Sequence, residues 1–359
     1  MRTHQSSPHA GRHADSHAGH DAPDHSVPEY SVPDDASLHA AGAPGGPGTP
    51  PAEQTQQAPQ APQRPQPRRW QPVPLVWCTL ALHVVMALAW RQPALWPWCL
   101  AAVLLNHALV VALVFFPRSS LLGKAVTRLP AAAAAQGWVA LTFDDGPDPQ
   151  VTPQVLDLLD QYQAKASFFC IGAAVRQYPD LLREIVARGH TVENHGHAHS
   201  SLFAFWGRAR MQQDMTQLQQ AVHAVTGGWP RFFRPTAGFR NPLLDWALAR
   251  TGLHLVMWTR RGFDTRCRHA PTVLQRLLRR LAAGDILLLH DGNAARTAQG
   301  EPLVLAVLPA LLRTLRERNL QAVTLRQGLP DLLAAPVEPA APAAPAARPP
   351  VLPMENTTP

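Results

Sequence analysis

The sequence predicts an α/β domain built on a mostly parallel sheet and carried behind a two-helix transmembrane hairpin. Three observations predict it. From Trp138 onward, short apolar runs alternate with amphipathic stretches of helical period, and repeated strand–helix units fold as a barrel or a doubly wound layer. Two apolar blocks without formal charge, residues 74–90 (PLVWCTLALHVVMALAW) and 97–116 (PWCLAAVLLNHALVVALVFF), precede that region. The polar residues able to carry chemistry fall at successive strand ends, where such sheets gather their function.

The flanks differ in kind. Residues 1–72 hold 13 prolines and seven of the 17 histidines, with too little apolar surface to offset ordering entropy, and are expected to be disordered. Residues 335–359, an Ala/Pro-rich tail with eight prolines, read the same way. The division is therefore a tail (1–72), a hairpin (73–117), a linker (118–136), a catalytic domain (137–334) and a second tail. His9, His13 and His17 recur every four residues, which suits a polar tail better than a metal buffer. The net charge of +7 is spread over scattered arginines, without the basic face or motif of a nucleic-acid binder. Four widely spaced cysteines give neither a disulfide framework nor a zinc knuckle.

The apolar blocks approach the ~20 residues that span hydrocarbon as a helix. Trp70, Trp77, Trp90, Trp96 and Trp98 sit near their ends, as interfacial aromatics do. A cleavable signal is not expected so far from the start. A buried hairpin of a soluble domain is the alternative, but the neighbouring chain offers nothing to bury it. Arg64, Arg68 and Arg69 precede the first block, Arg91 lies between them, and Arg118, Lys124 and Arg128 follow. That asymmetry places the tail and the catalytic domain on the cytoplasmic side of a bacterial-type inner membrane. His83, Asn106 and His107, polar within the blocks, are expected to face one another.

In the globular region, strands are predicted at 138–143, 166–171, 191–194, 231–234, 253–258, 285–289 and 322–325. Helices are predicted from Thr152-Pro153, with a cap and a first-turn proline, at 180–188 ending at Gly189, and at 208–226, 271–283 and 302–318. Met211, Met215, Leu218, Val222 and Val225 recur at helical spacing and read as core filler.

Asp144 and Asp145 end the first strand in T-F-D-D-G-P. Adjacent carboxylates repel unless a cation claims one. His195 and His199, four apart, share a side of a helical turn, and with Asp145 they make a His-His-Asp set with open positions, suited to Zn²⁺ and compatible with Co²⁺, Ni²⁺ or Fe²⁺. In an extended loop, His197 would pair with one of them instead. Asp144 then acts as a base toward metal-bound water, with Arg234 its bidentate partner. His290, closing the strand I-L-L-L-H, can protonate a leaving amine. A solvated loop and a half-buried histidine are the plain alternatives.

T-F-D-D-G-P, H-x-x-x-H, R-P-x-x-G, W-T-x-x-x-x-D and L-L-H, in that order, resemble the NodB-homology polysaccharide deacetylases (carbohydrate esterase family 4) over about residues 138–332. The resemblance implies a distorted (β/α) barrel and metal-dependent hydrolysis of N-acetyl groups on sugars. It implies Asp144 as general base, Asp145, His195 and His199 as metal ligands, Arg234 orienting the base, His290 as general acid tuned by Asp264, Leu288 lining the acetyl pocket, and the Ala237 N–H at the oxyanion. His197 is left a bystander. The chain departs from the family at Gly196 (usually Ser or Thr), Ala237 (usually aromatic), Arg261 (usually Asp) and Thr265 (usually Trp). The stretch Phe239-Arg240-Asn241-Pro242 adds an arginine expected at the cleft edge, where it could meet a carrier-lipid phosphate.

The sequence thus predicts a membrane-anchored deacetylase of an N-acetylated saccharide, a lipid-linked one included. A periplasmic deacetylase of wall or exported polysaccharide is the second reading. A glycan-binding or scaffold module without turnover is the third, motivated by the altered motifs.

Overall fold

The structure is a computed structural model and describes residues 63–333. Of the segments expected to be disordered, 1–72 and 335–359, residues 1–62, with the histidine repeat, and the whole second tail lie outside the described residues.

Helices α1 (Pro74–Ala89) and α2 (Trp96–Val114) follow one another across a short 3-10 turn and pack antiparallel. Trp90 and Trp96 stack at the turn, and the Trp96 Nε1–H donates to the Trp90 carbonyl. Further along, Thr79 Oγ1 donates to Asn106 Oδ1 at 3.2 Å and the His83 and His107 rings meet edge to face. The intrablock polar groups thus face one another across the hairpin, while His83 Nδ1 and His107 Nδ1 also pair with the Thr79 and Val103 carbonyls of their own helices. Residues Pro93–Val114 form a helix long and apolar enough to cross a membrane, with mean hydropathy 2.0 over its window; Pro74–Ala89 is apolar but shorter.

The catalytic domain is a single curled sheet of eight parallel strands, flanked by helices. In chain order these are α3 (Ala131–Ala135), β1 (Trp138–Asp144), α4 (Thr152–Gln161), β2 (Ser167–Cys170), α5 (Gly172–Gln177), α6 (Pro179–Ala187), β3 (Thr191–Asn194), α7 (Arg208–Thr226), β4 (Phe232–Phe233), α8 (Leu244–Thr251), β5 (His254–Leu255), β6 (Arg260–Arg261), α9 (Ala270–Leu278), β7 (Ile286–His290), α10 (Leu303–Glu317), β8 (Gln321–Val323) and α11 (Leu325–Gly328). The strands run β5-β4-β3-β2-β1-β7-β6, and β8 pairs with the first half of β1 on the side where β2 takes the second half. This is the distorted (β/α) barrel. Alternation of side chains along each strand separates two faces. Val139, Leu141, Phe143, Phe168, Leu287 and Leu289 point outward into the helical layer, against residues such as Leu156, Ile185, Leu277 and Leu308. Ala140, Phe169, Phe232, Val256 and Ile286 fill the inside.

Several boundaries correct the sequence reading. Residues 118–136 are no passive linker. Val126 bridges Val256, Arg128 bridges Asp285, and the Thr259 hydroxyl donates to the Thr127 carbonyl, so this segment occupies the opening between β5 and β6. Residues 63–72 are not a free tail either. Pro65 is buried, the Arg231 guanidinium donates to the Gln63 carbonyl, and Arg68 donates to the Leu253 carbonyl and to His254 Nδ1. This strap runs over Gly252, where a Cβ would come within 2.6 Å of the Gln66 carbonyl oxygen. Helix α8 and strand β6 were not anticipated, because β6 is two arginines long and α8 begins among Asn and Pro. Thr152 lies inside α4 rather than capping it. Asp148 Oδ1 instead accepts from the Gln150 and Val151 amides, and the Thr152 hydroxyl turns to Asp291.

Candidate active site

Parallel register sets the site at the carboxyl ends of the strands. Asp144 lies opposite His290 across the β1–β7 pair, and Cys170 opposite Asn194 across β2–β3, so the residues just beyond each strand converge. They line a cavity of about 350 Å³ with Asp144, Asp145, His195, His199, Ala237, Trp258, Arg261, Thr265, Arg266, Leu288, His290 and Asn293 among its walls. A larger cavity, about 480 Å³, lies under the strap and is remote from these groups.

Asp145 leaves the strand in left-handed backbone conformation, φ 75°, which turns its carboxylate toward the histidine loop. Its Oδ1 lies 3.1 Å from His195 Nε2 and 2.8 Å from His199 Nε2, yet this buried oxygen makes no hydrogen bond of acceptable geometry. His195 Nδ1 lies 2.8 Å from the Arg234 carbonyl. Donation there leaves the Nε2 lone pair facing Asp145, the posture of a ligating imidazole. Burial pushes the Asp145 carboxyl up, but the two imidazoles, with His290 beyond, more than reverse this and hold it well below the usual range. Among the described residues, these three side chains are the group whose ligand atoms lie close enough together to hold a metal ion. An orphaned carboxylate oxygen facing two imidazole nitrogens fits a divalent cation.

The loop carrying the histidines is not helical. Gly196 has φ 88° and His199 φ 45°, and this bend, rather than a helical turn, brings positions four apart together. The brace comes from a residue the sequence reading passed over. Asp214 of α7 accepts the His197 and Ala198 amides, at 2.9 and 2.8 Å, while Asn194 Oδ1 accepts the Gly196 amide. A Cβ on Gly196 would stand 2.9 Å from Asp214 Oδ2, so glycine suits this position on both counts. The available signal was an acidic residue on the apolar stripe of α7, between Met211 and Met215. His197 points away, against Gly172 and the Arg176 guanidinium.

Asp144 is held by Arg234, which is fully buried. Arg234 Nη1 donates to Asp144 Oδ1 at 2.6 Å and to Thr142 Oγ1 at 2.9 Å. Its Nε and Nη2 donate to the Val256 and Met257 carbonyls, and the guanidinium lies over the Phe169 ring at 4.1 Å. The pairing with Asp144 is therefore through one nitrogen and not bidentate, because Nε and Nη2 are taken by carbonyls; a buried charge so partnered still orients the carboxylate. On the far wall, Asp264 grips His290 twice. Its Oδ2 accepts the His290 amide at 2.8 Å and its Oδ1 lies 2.9 Å from Nδ1, leaving Nε2 as the free end of the ring. Burial lowers the His290 pKa, and Asp264, helped by Asp144 and Asp145, reverses this and raises it above its ordinary value.

Two glycines interlock these loops. A Cβ on Gly146 would fall 2.1 Å from Asp291 Oδ2, and one on Gly292 would fall 2.3 Å from the Asp145 carbonyl oxygen. Thus D-G-P and H-D-G pack backbone to backbone. Full burial pushes Asp291 up to about 7, against the Thr152 hydrogen bond. Asn293 donates to Asp145 Oδ2 at 3.3 Å. Neither Asp291 nor Asn293 was singled out in the sequence.

Leu288 forms part of the lining from beneath, and Ala237, exposed at φ 56°, forms a rim. Trp258 supplies an aromatic wall, and its ring fits because position 238 is glycine: a Cβ there would lie 2.6 Å from Trp258 Cη2. Arg240 contradicts its expected place. It is buried, away from the cavity, and donates to the Gly123 carbonyl. Its side chain turns into the segment before β1 instead of the cleft. The cleft's cationic side chains are Arg261, stacked between Trp258 and Phe263, and Arg266. Arg261 Nε is buried without a partner.

Fold and site together define a cleft at the strand ends, in which a metal-ready triad lies between the Asp144–Arg234 and Asp264–His290 pairs. The sequence pattern of the Polysaccharide deacetylase family matches residues 132–256. A peptidoglycan-N-acetylglucosamine deacetylase of Bacillus cereus is 33% identical over 193 residues, covering 53% of this chain and 86% of the relative. A chitooligosaccharide deacetylase of Sinorhizobium fredii is 34% identical over 187 residues, covering 50% and 86%. A solved peptidoglycan N-acetylglucosamine deacetylase superposes with a TM-score of 0.51 at 26% identity, covering 56% of this chain and 91% of that one. The chain belongs to the polysaccharide deacetylase family, carbohydrate esterase family 4, and so to the hydrolases of N-acetyl amide bonds.

Proposed function

We propose that this protein is a membrane-anchored, divalent-metal-dependent deacetylase of an N-acetylated amino sugar in a lipid-linked saccharide that carries an anionic group. The observation that carries the reading is the convergence of Asp145, His195 and His199 with the Asp144–Arg234 and Asp264–His290 pairs around one cleft. Asp145, His195 and His199 would hold the cation. Zinc suits two imidazoles and a carboxylate, a donor set that cobalt, nickel and iron share. The cation supplies Lewis acidity toward the amide carbonyl.

The remaining work falls to this chain's own groups. Asp144, fixed by Arg234, takes a proton from the attacking water. His290, kept protonated by Asp264, gives its proton from Nε2 to the departing amine, and acetate leaves. Leu288 and Trp258 offer an apolar seat for the acyl methyl. Arg261 and Arg266 take the role first assigned to Arg240, meeting a phosphate or carboxylate of the substrate.

Anchoring rests on the hairpin. The strap holds residues before α1 on the same domain that follows α2, so two passes return the chain to one side. Arg64, Arg68, Arg69, Arg118, Lys124 and Arg128 favour the cytoplasmic side. A second reading, an exported deacetylase of wall polymer, is favoured by the relative from Bacillus cereus named for peptidoglycan. A carboxy-terminal reporter fusion, scored for alkaline phosphatase against fluorescent-protein signal, separates the two.

The direct test is product analysis by mass spectrometry on soluble and lipid-linked N-acetylated saccharides. The wild type should release acetate, lose activity on chelation and regain it with metal, and Asp144→Asn should be inactive. Arg261→Ala should raise KM for the anionic substrate far more than for neutral chitotetraose. No turnover of any saccharide by the metal-loaded enzyme would leave the binding-module reading standing.

A further inference from the structure

The stretch that follows His199 reads S-S-L-F-A-F-W-G-R-A-R, and its side chains divide sharply. Phe203 and Trp206 turn inward to pack with Met211, Phe233 and Leu244, which fixes the short 3-10 turn Phe203–Phe205. Leu202 and Phe205, held by that anchor, stand 60% and 84% exposed. An ordered turn that presents its phenyl ring to solvent beside a catalytic ligand has a use for it.

Its surroundings indicate which. Asn241 Nδ2 donates to the Ala204 and Trp206 carbonyls, tying the turn to the segment where Leu243 is also exposed. Two residues before Asn241, the Phe239 ring meets Phe115 edge to face at 5.4 Å, and a Cβ on Gly238 would lie 3.1 Å from Pro117. The residues just past α2 therefore rest against the cleft's rim, Phe115 on Phe239 and Pro117 beside Gly238 of the segment Thr236–Gly238 that lines the cleft. Phe115, Phe116 and Leu121 are exposed there. The apolar surface thus continues from the hairpin across Phe239 to Leu243, Leu202 and Phe205. Arg208 and Arg210 follow at the start of α7, exposed and stacked on Trp246 and Trp206. Apolar side chains backed by arginines match the acyl boundary and the anionic headgroups of a bilayer.

We propose that the turn Phe203–Phe205 seats Leu202 and Phe205 at the headgroup–acyl boundary of an anionic bilayer, so that the cleft opens at the lipid surface. This rests on the reading of α1 and α2 as membrane-spanning. It selects amphiphilic substrates whose saccharide stands at headgroup level, since His199 and Ala237, on the cleft's two edges, each lie within a few residues of the apolar rim.

The test uses the full chain in vesicles of phosphatidylethanolamine and phosphatidylglycerol. Phe205→Cys, in a background with Cys78, Cys99 and Cys267 changed to Ser, carries an environment-sensitive fluorophore. Quenching by lipids with a shallow nitroxide, and shielding from aqueous iodide, is the expected result. Quenching by iodide alone puts the turn in water and overturns the proposal, and shielding from both means that protein covers it, which also overturns it. This readout needs no turnover, so it stands even if neither saccharide is a substrate, an outcome that falls on the function alone. In parallel, Leu202→Ser/Phe205→Ser should lower turnover of a vesicle-borne saccharide about tenfold or more, and change that of soluble chitotetraose by less than about twofold.

Discussion

Arg234 spends four of its five N–H donors inside the sheet, on one carboxylate, one hydroxyl and two carbonyls. Arg234→Met should strand Asp144 as a buried unpaired charge and cost about 3–5 kcal/mol of stability, read in a urea melt. Arg234→Lys should not rescue it, because an ammonium cannot span those directions. His290 makes a prediction about pH. Its raised pKa extends its protonated range to higher pH, so activity should hold below that pKa and fall as pH rises through it. Asp264→Asn removes the largest raising influence, so the alkaline limb of kcat/KM should move to lower pH. The acid limb should move less. The chemical residues were legible because spacing and order mark them: D-D, H-x-x-x-H and L-L-H are contiguous in sequence. Arg240 and Arg261 were not distinguishable that way. Arg240 follows β4 in a loop and Arg261 closes β6, and which one turns toward the cleft depends on backbone direction at strands only two residues long.

At the scale of elements, the histidine loop is a bent connection held from outside, by Asn194 behind it and Asp214 across from it. Asp214→Ala should loosen the His195–His199 approach and weaken metal binding about 10–100-fold, measured by competition with a chromophoric chelator. Gly146→Ala should be more disruptive than its size suggests, because the Asp291 carboxylate occupies the space. Long periodic helices such as α7 were legible to the residue, and so was β3. The linker and strap were not. Proline-rich and basic composition signals poor self-burial, but residues 63–70 bury only Pro65 and otherwise bond through backbone carbonyls and arginines, and these leave no hydrophobic pattern. Strand β6 escaped for the same reason: register with β7 makes it a strand, not its own side chains.

For the whole molecule, metal should matter to stability as well as to turnover, since the three ligands come from two loops, Asp145 after β1 and both histidines after β3. Chelation should lower Tm, by roughly 5–10 °C if the cation is present at about a hundred times its Kd, read by calorimetry on the full chain. The β1–β7 core should set the remaining stability: Phe168→Ala, in the outward-facing cluster, should cost about 3–5 kcal/mol. The overall class of fold was legible because eight parallel strands require the strand–helix rhythm that the sequence displays; the closing of its gap by residues 125–129 was not, being a feature of topology. The strap has one more consequence. A single flexible linker would let the domain tumble around its anchor, but bonds at Gln63 and Arg68 on one side, and at Val126 and Arg128 on the other, moor it to both ends of the hairpin. With the hairpin in the bilayer, as proposed above, an enzyme so moored would search in two dimensions. Its velocity should follow the mole fraction of substrate in the lipid and fall when inert lipid is added at constant bulk concentration, the signature of surface dilution.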